Sequence, residues 1–170
     1  FNWSATLADL GLRRVPGRVS FGTIANYMIE DGRQAAPGEP FEEFTGLSGF
    51  GSFRWTMFNT FGWMHGPMNA SLRWRYYPST QSYSAFSGLD ERVKGIDAYS
   101  LLDLSFGYTF PGGLSVRAGV DNLLNKEPPI ADFNPGDGGP GTDGYNPGTI
   151  ATGPYDTLGR SYYLGIKISF

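Results

Sequence analysis

Residues 161–170 read Ser-Tyr-Tyr-Leu-Gly-Ile-Lys-Ile-Ser-Phe, and apolar and polar side chains alternate along the stretch. In an extended strand, successive side chains point to opposite faces, so this pattern separates two sets of residues. The apolar set consists of Tyr162, Leu164, Ile166, Ile168 and Phe170. The stretch is therefore predicted to be a β-strand with an apolar face and a polar face.

The same period of two recurs upstream, which predicts further strands of the same kind. The additional segments lie at about 1–10, 18–29, 53–61, 70–77, 102–110 and 114–121. In the segment 53–61, Phe58 and Asn59 break the alternation. The pattern predicts an all-β fold, an antiparallel up-and-down meander of about seven strands.

The connections between these segments alternate between short and long. The short connections are residues 11–17, 62–68 and 111–113, and the long ones are 31–49, 78–97 and 123–154. In a meander every second connection lies at the same end, so one end should carry tight turns and the other long loops. This asymmetry is typical of outer-membrane β-barrels.

The composition narrows the possible functions. The chain has 170 residues with a net charge of -3, no cysteine, one histidine, 17% charged and 16% aromatic residues. Disulfides, thiolate sites and multi-histidine sites are excluded, and the absence of a basic run argues against nucleic acid as a partner. No run approaches the roughly 18 apolar residues of a transmembrane helix, but a membrane β-barrel remains possible because its signal per strand is weak.

Strand length favours a barrel wall. Tilted strands of about 10 residues span an apolar band of about 25 Å, and the predicted segments have about that length. We therefore predict part of the wall of a large transmembrane β-barrel, with lipid against the apolar face. Aromatic residues near both strand ends are expected to form two belts at the membrane interfaces. A soluble β-sandwich remains the alternative fold, since it also buries one apolar face per strand.

Two motifs add a family resemblance. Residues 120–129, Val-Asp-Asn-Leu-Leu-Asn-Lys-Glu-Pro-Pro, resemble the penultimate-strand motif of TonB-dependent outer-membrane receptors. Residues 155–170, from Tyr-Asp-Thr-Leu-Gly-Arg to the terminal Phe, resemble the closing strand of that family. Residues 16–20 and 72–76 are weaker matches.

The resemblance implies a fold and a function. Receptors of this family have about 22 strands around a plugged lumen, so residues 1–170 are expected to be the C-terminal portion of such a barrel, without the plug domain, the TonB box or the earlier strands. The implied function is active uptake of a scarce solute across the cell outer membrane, such as a ferric siderophore, a cobalamin or an oligosaccharide. The implied partners are outer-membrane lipid, the TonB complex acting through the missing plug, the small-molecule ligand, and the barrel assembly machinery. A passive porin-type channel is the alternative, with a soluble binding module less favoured.

The candidate site residues follow from the two faces. Charged residues expected to face the lumen, where they could contact the plug or the ligand, are Arg54, Arg73, Arg75, Asp103, Arg117, Asp121 and Lys167. The resemblance implies that Tyr162, Leu164, Ile166, Ile168 and Phe170 form the C-terminal signal read by the assembly machinery. No catalytic residues, metal site or cofactor are predicted, so the chain is not expected to be an enzyme. Acidic residues between Asp132 and Asp143 leave calcium binding open, although their spacing does not match an EF-hand.

Overall fold

The computed structural model describes residues 1–47, 53–81, 95–133, 146–150 and 154–169, with backbone alone for 131–133 and 146–150. Phe170 and the acidic side chains between Asp132 and Asp143 lie outside this description. No helix in these ranges has the length and apolar character needed to cross a membrane.

The described ranges contain thirteen β-strands. They are β1 (Asn2–Thr6), β2 (Arg18–Tyr27), β3 (Gly32–Gln34), β4 (Phe41–Glu43), β5 (Trp55–His65), β6 (Met68–Tyr77), β7 (Thr80–Gln81), β8 (Gly95–Ile96), β9 (Tyr99–Thr109), β10 (Leu114–Asp121), β11 (Ile130–Phe133), β12 (Asn146–Ile150) and β13 (Ser161–Ile168).

Seven of these strands form one sheet in the order β1-β2-β5-β6-β9-β10-β13. Every pair of neighbouring strands in this sheet is antiparallel. The order of the seven strands across the sheet is the same as their order in the sequence. The prediction of an all-β, seven-stranded antiparallel meander is therefore confirmed. Within the described residues, β1 and β13 lie at the two edges of the sheet.

The long connections contain three short hairpins that the sequence did not reveal. β3 pairs with β4, β7 with β8, and β11 with β12. An isolated parallel bridge also joins Leu47 to Gln81. Strands of two to five residues are too short for an alternating pattern to stand out from the surrounding loop residues.

The first strand is shorter than predicted, since it ends at Thr6 and not at Leu10. The Thr6 hydroxyl donates a hydrogen bond to Oδ2 of Asp9 at 2.5 Å, and the Asp9 N–H donates to the Thr6 carbonyl at 3.1 Å. This local side-chain bonding offers the backbone a turn in place of the sheet. The connection after β5 is tighter than predicted, because His65 pairs directly with Met68 across Gly66 and Pro67.

The strand registers keep the two faces separate across the whole sheet. One cross-strand row consists of Trp3, Phe21, Phe61, Leu72, Leu104, Val120 and Tyr162, all on the apolar face. The adjacent row consists of Ser4, Ser20, Gly62, Ser71, Ser105, Gly119 and Tyr163, all on the polar face. Leu104 is 41% exposed whereas Ser105 is 8% exposed. The apolar face is therefore the more exposed of the two. A sheet in a soluble protein buries its apolar face, whereas the wall of a membrane barrel exposes it to lipid, as this sheet would.

Several aromatic residues lie on a different face from the one that an aromatic belt requires. Tyr77 and Tyr99 are buried in a cluster with Leu101 and Tyr155, against which Phe58 packs. Tyr77 lies opposite Tyr99, and both are an even number of residues from the polar-face pair Arg73 and Asp103, so they lie on the polar face. These rings therefore stabilise the interior side of the sheet at the long-loop end. On the apolar face near the same end, Trp55 stacks on Tyr76 with ring centroids 5.0 Å apart.

Candidate functional site: the polar face of the sheet

Six of the seven charged candidates lie in strands on the polar face. They are Arg73, Arg75, Asp103, Arg117, Asp121 and Lys167. Arg54 differs, because it precedes β5 and does not belong to the sheet. Its Nη1 donates to the carbonyl of Ile29 at 3.1 Å, and its Nη2 lies 3.5 Å from Oε1 of Glu43. Arg54 therefore secures the first long connection.

Asp103 is the centre of a charge cluster formed by Arg73, Arg75, Asp103 and Asp121. Its side chain is only 6% exposed, and Nε of Arg73 donates to its Oδ2 at 2.9 Å. Nη2 of Arg75 donates to both carboxylate oxygens at 3.0 and 3.1 Å. The backbone N–H of Asn122 supplies a further hydrogen bond to Oδ1 at 3.0 Å. A buried carboxylate is tolerated when it is both paired and hydrogen-bonded, as it is here.

Asp121 contributes less to this cluster. Its Oδ1 lies 3.8 Å from Nη2 of Arg73, and its side chain is 43% exposed. Two arginines face two aspartates, so the cluster carries no net charge. The cluster therefore joins β6, β9 and β10 through electrostatics without giving this part of the wall a preference for anions or cations.

Arg117 and Lys167 lie closer to the turn end of the sheet than the charge cluster does, although Arg117 also borders a cavity of about 190 Å³ together with Arg73, Asp103 and Asp121. Among the residues described, neither has an acidic partner within ion-pair distance. The Arg117 guanidinium lies over the Tyr163 ring, 5.5 Å from its centroid. This ring fits because position 119 is glycine, where a Cβ would collide with the phenol. Arg117 and Lys167 also border an open cavity of about 360 Å³, which leaves this region of the polar face with an excess of positive charge.

A second cavity of about 360 Å³ lies beside the charge cluster, between Arg73, Arg75 and Asp121 and the segment that leads into β13. That segment is held by Tyr155, whose ring packs edge-on against Tyr99 with centroids 5.1 Å apart. Burial raises the pKa of Tyr155 to about 12, so the phenol is neutral at physiological pH. Tyr155 was not predicted to be buried, because an isolated aromatic residue in a loop carries no periodic signal.

The motif at residues 120–129 has a conformational role in this structure. Asn122 is 1% exposed and has a φ of 51°. Its side chain accepts a hydrogen bond from the Lys126 N–H at 2.7 Å and donates one to the Lys126 carbonyl at 2.9 Å. Asn125 also has a φ of 51°, and its Oδ1 accepts the Arg160 N–H at 3.0 Å. The motif thus connects the end of β10 to the start of β13.

Asn125 offers a test of this role. Asn125→Ala removes the acceptor for the Arg160 N–H. It also places an alanine in the left-handed region of backbone conformation, which costs a residue with a Cβ roughly 1–2 kcal/mol. We expect the free energy of unfolding of the full-length protein to fall by about 2 kcal/mol in urea titrations in detergent. Asn125→Gly loses the same acceptor without the conformational cost, so it should be less destabilising. Equal losses for both variants would show that the left-handed backbone at residue 125 adds little to the cost of the alanine substitution.

Four of the five residues predicted for the assembly signal lie together on the apolar face of the edge strand β13, and the fifth, Phe170, lies outside the described residues. Tyr162, Leu164, Ile166 and Ile168 are all exposed there. Their recognition by the assembly machinery remains a prediction.

One comparison with known proteins gives a match. The family model described as TonB dependent receptor-like, beta-barrel, matches residues 3–123. No curated protein and no solved structure matches the chain. The matched range spans β1 to β10 and includes the start of the penultimate-strand motif, whereas the closing strand lies beyond it. TonB-dependent receptors are transport proteins of the outer-membrane type and are not enzymes. With well over half of its length matched, the chain belongs to the TonB-dependent receptor-like β-barrel family.

Proposed function

We propose that residues 1–170 form the C-terminal portion of a larger outer-membrane barrel that imports a scarce solute with energy from the TonB complex. The observation that carries this proposal is the apolar row that crosses all seven strands without a polar interruption. Such a surface is stable against lipid and would be costly in water. In the described part of the chain, no further strand pairs with the outer edge of β1 or β13. This supports a larger barrel, because each unsatisfied backbone group in hydrocarbon costs several kcal/mol.

The polar face would line the lumen, where its two charged regions have different roles. In the charge cluster, Arg73 and Arg75 are already bound to Asp103, so their role is to hold the wall together. Arg117 and Lys167 have no acidic partner in the described part of the chain. They lie toward the turn end, which faces the periplasm in such barrels. We therefore assign contact with acidic groups of the plug domain to these two residues.

The solute would enter from the long-loop end. The cavity between Tyr155 and the charge cluster combines an aromatic residue with charges of both signs, so it could contact a polar solute of moderate size. A ferric siderophore, a cobalamin and an oligosaccharide all fit this description. The solute class is carried by the family resemblance and not by the cavity.

Whole-cell uptake tests the proposed function. The full-length protein is expressed in outer membranes of cells with and without a functional TonB complex, and accumulation of labelled ferric siderophores, cobalamin and oligosaccharides is measured. We expect one of these solutes to accumulate only in the cells with functional TonB.

Two other outcomes would replace the proposal. Equal accumulation with and without TonB, together with rapid swelling of vesicles that contain the purified protein, would identify a passive porin-type channel. Recovery of the folded protein from the soluble fraction without detergent would identify a soluble β-sandwich.

A further inference from the structure

The turn between β1 and β2 is larger than the other two turns at its end of the sheet, and backbone hydrogen bonds close it. The Leu7 N–H donates to the Gly17 carbonyl at 2.9 Å, and the Leu12 N–H donates to the Leu7 carbonyl at 2.9 Å. A further bond joins the Val15 N–H to the Leu12 carbonyl at 3.0 Å. These bonds fix which side chains the turn presents outward.

The turn lies at the margin of the apolar face. The indole Nε1 of Trp63 donates to the carbonyl of Pro16 at 3.3 Å. Trp63 pairs with Val19 on one side and Ala70 on the other, and all three belong to the apolar face. Because Trp residues favour the boundary between hydrocarbon and headgroups, this contact places the turn at the membrane interface of a barrel.

The outward side chains of the turn combine apolar and basic character. Leu10, Leu12 and Val15 are 48%, 53% and 49% exposed. Arg13 and Arg14 are also exposed, and neither forms an ion pair with any residue in the described ranges. We call these five residues the turn surface. The nearby carboxylate of Asp9 is engaged by Thr6, so one acid and two arginines leave the turn positively charged.

We propose that the turn surface binds anionic phospholipid headgroups in the leaflet at the turn end of the barrel. The arginines would contact the phosphates while Leu10, Leu12 and Val15 enter the boundary with the acyl chains, as in amphipathic segments that lie in the membrane interface. Continuity with the apolar face favours lipid over a soluble protein as the occupant. The inference rests on the membrane location that the proposed function requires.

Fluorescence in detergent micelles tests the inference on the full-length protein. The 170 residues contain no cysteine, so Leu12→Cys introduces a single site in this region for an environment-sensitive label, after removal of any cysteine elsewhere in the protein. Titration with phosphatidylglycerol should shift the label's emission to shorter wavelength, and phosphatidylcholine should have a much weaker effect. Each basic residue near an anionic surface contributes about a fivefold change in affinity. In the background Arg13→Gln/Arg14→Gln, the half-saturating phosphatidylglycerol concentration should therefore rise at least about tenfold.

Pro111→Cys provides the control, since it labels the exposed turn between β9 and β10 at the same end of the sheet without adjacent arginines. It should not distinguish the two lipids. An identical response to both lipids at Leu12→Cys, or an unchanged response after loss of both arginines, would overturn the inference. So would a shift that requires a periplasmic protein. The heat-dependent gel shift of folded barrels is checked in every sample, so failure to form a membrane barrel is distinguished from failure to bind the lipid.

Discussion

Moving one guanidinium by a single residue along β10 is expected to lower the free energy of unfolding in lipid vesicles by roughly 2–4 kcal/mol. The double variant Arg117→Ala/Ala118→Arg conserves composition and net charge. Ala118 lies between Phe106 and Leu164 on the apolar face, and it occupies the middle of the strand. Because adjacent side chains point to opposite faces, the arginine would be transferred from the lumen to the bilayer interior. Urea titration of the folded fraction in vesicles measures the loss.

Arg117→Ala alone is the matched control, because it removes the same arginine without placing charge in lipid. Its guanidinium contacts the Tyr163 ring, and cation–π contacts at exposed sites are worth about 0.5–1 kcal/mol. Its effect should therefore be much smaller than that of the exchange. Similar losses for the single and double variants would contradict the assignment of the apolar face to lipid.

The fold was accessible from the sequence because alternation in long strands reports directly on the two faces. β10 and the start of β13 were predicted at their observed bounds, since each carries an unbroken pattern of at least eight residues. The end of β1 was missed, because the bonds between Thr6 and Asp9 depend on side-chain geometry. The hairpins in the long connections were missed because their strands are shorter than the pattern that would reveal them.

Only part of the site could be predicted from the sequence, because alternation assigns a residue to a face but does not identify its partner. Alternation assigned Arg73, Arg75 and Asp103 to one face, but it could not show that a single carboxylate binds both arginines. That arrangement depends on the register of β6 against β9. Asn122 was recognised as part of a motif, but its contribution to the charge cluster is through its backbone N–H, which no side-chain pattern can indicate. Arg54 was assigned to the same face although it lies just outside the strand.

Asp103→Asn is expected to lower the free energy of unfolding by about 2–4 kcal/mol, because this carboxylate is the shared acceptor of the charge cluster. Oδ2 accepts from both arginines, and Oδ1 accepts from Arg75 and the Asn122 N–H. An amide replaces one of these oxygens with a donor in either orientation, so two of the four hydrogen bonds are lost and either Nε of Arg73 or the Asn122 N–H is left without its acceptor. The substitution also removes the negative charge that balances the two arginines. Urea unfolding of the full-length protein in detergent measures the change.

Asp121→Asn removes the same charge from the same cluster and serves as the control. Its only ion pair within the described residues is the 3.8 Å contact with Arg73, and its side chain is 43% exposed. Exposed pairs contribute about 0–1 kcal/mol, so this variant should remain close to the wild type. Net charge changes equally in the two variants, so a large difference between them must arise from the buried hydrogen bonds of Asp103. If both variants were equally destabilised, long-range electrostatics would explain the cluster, and the shared acceptor would not be its central feature.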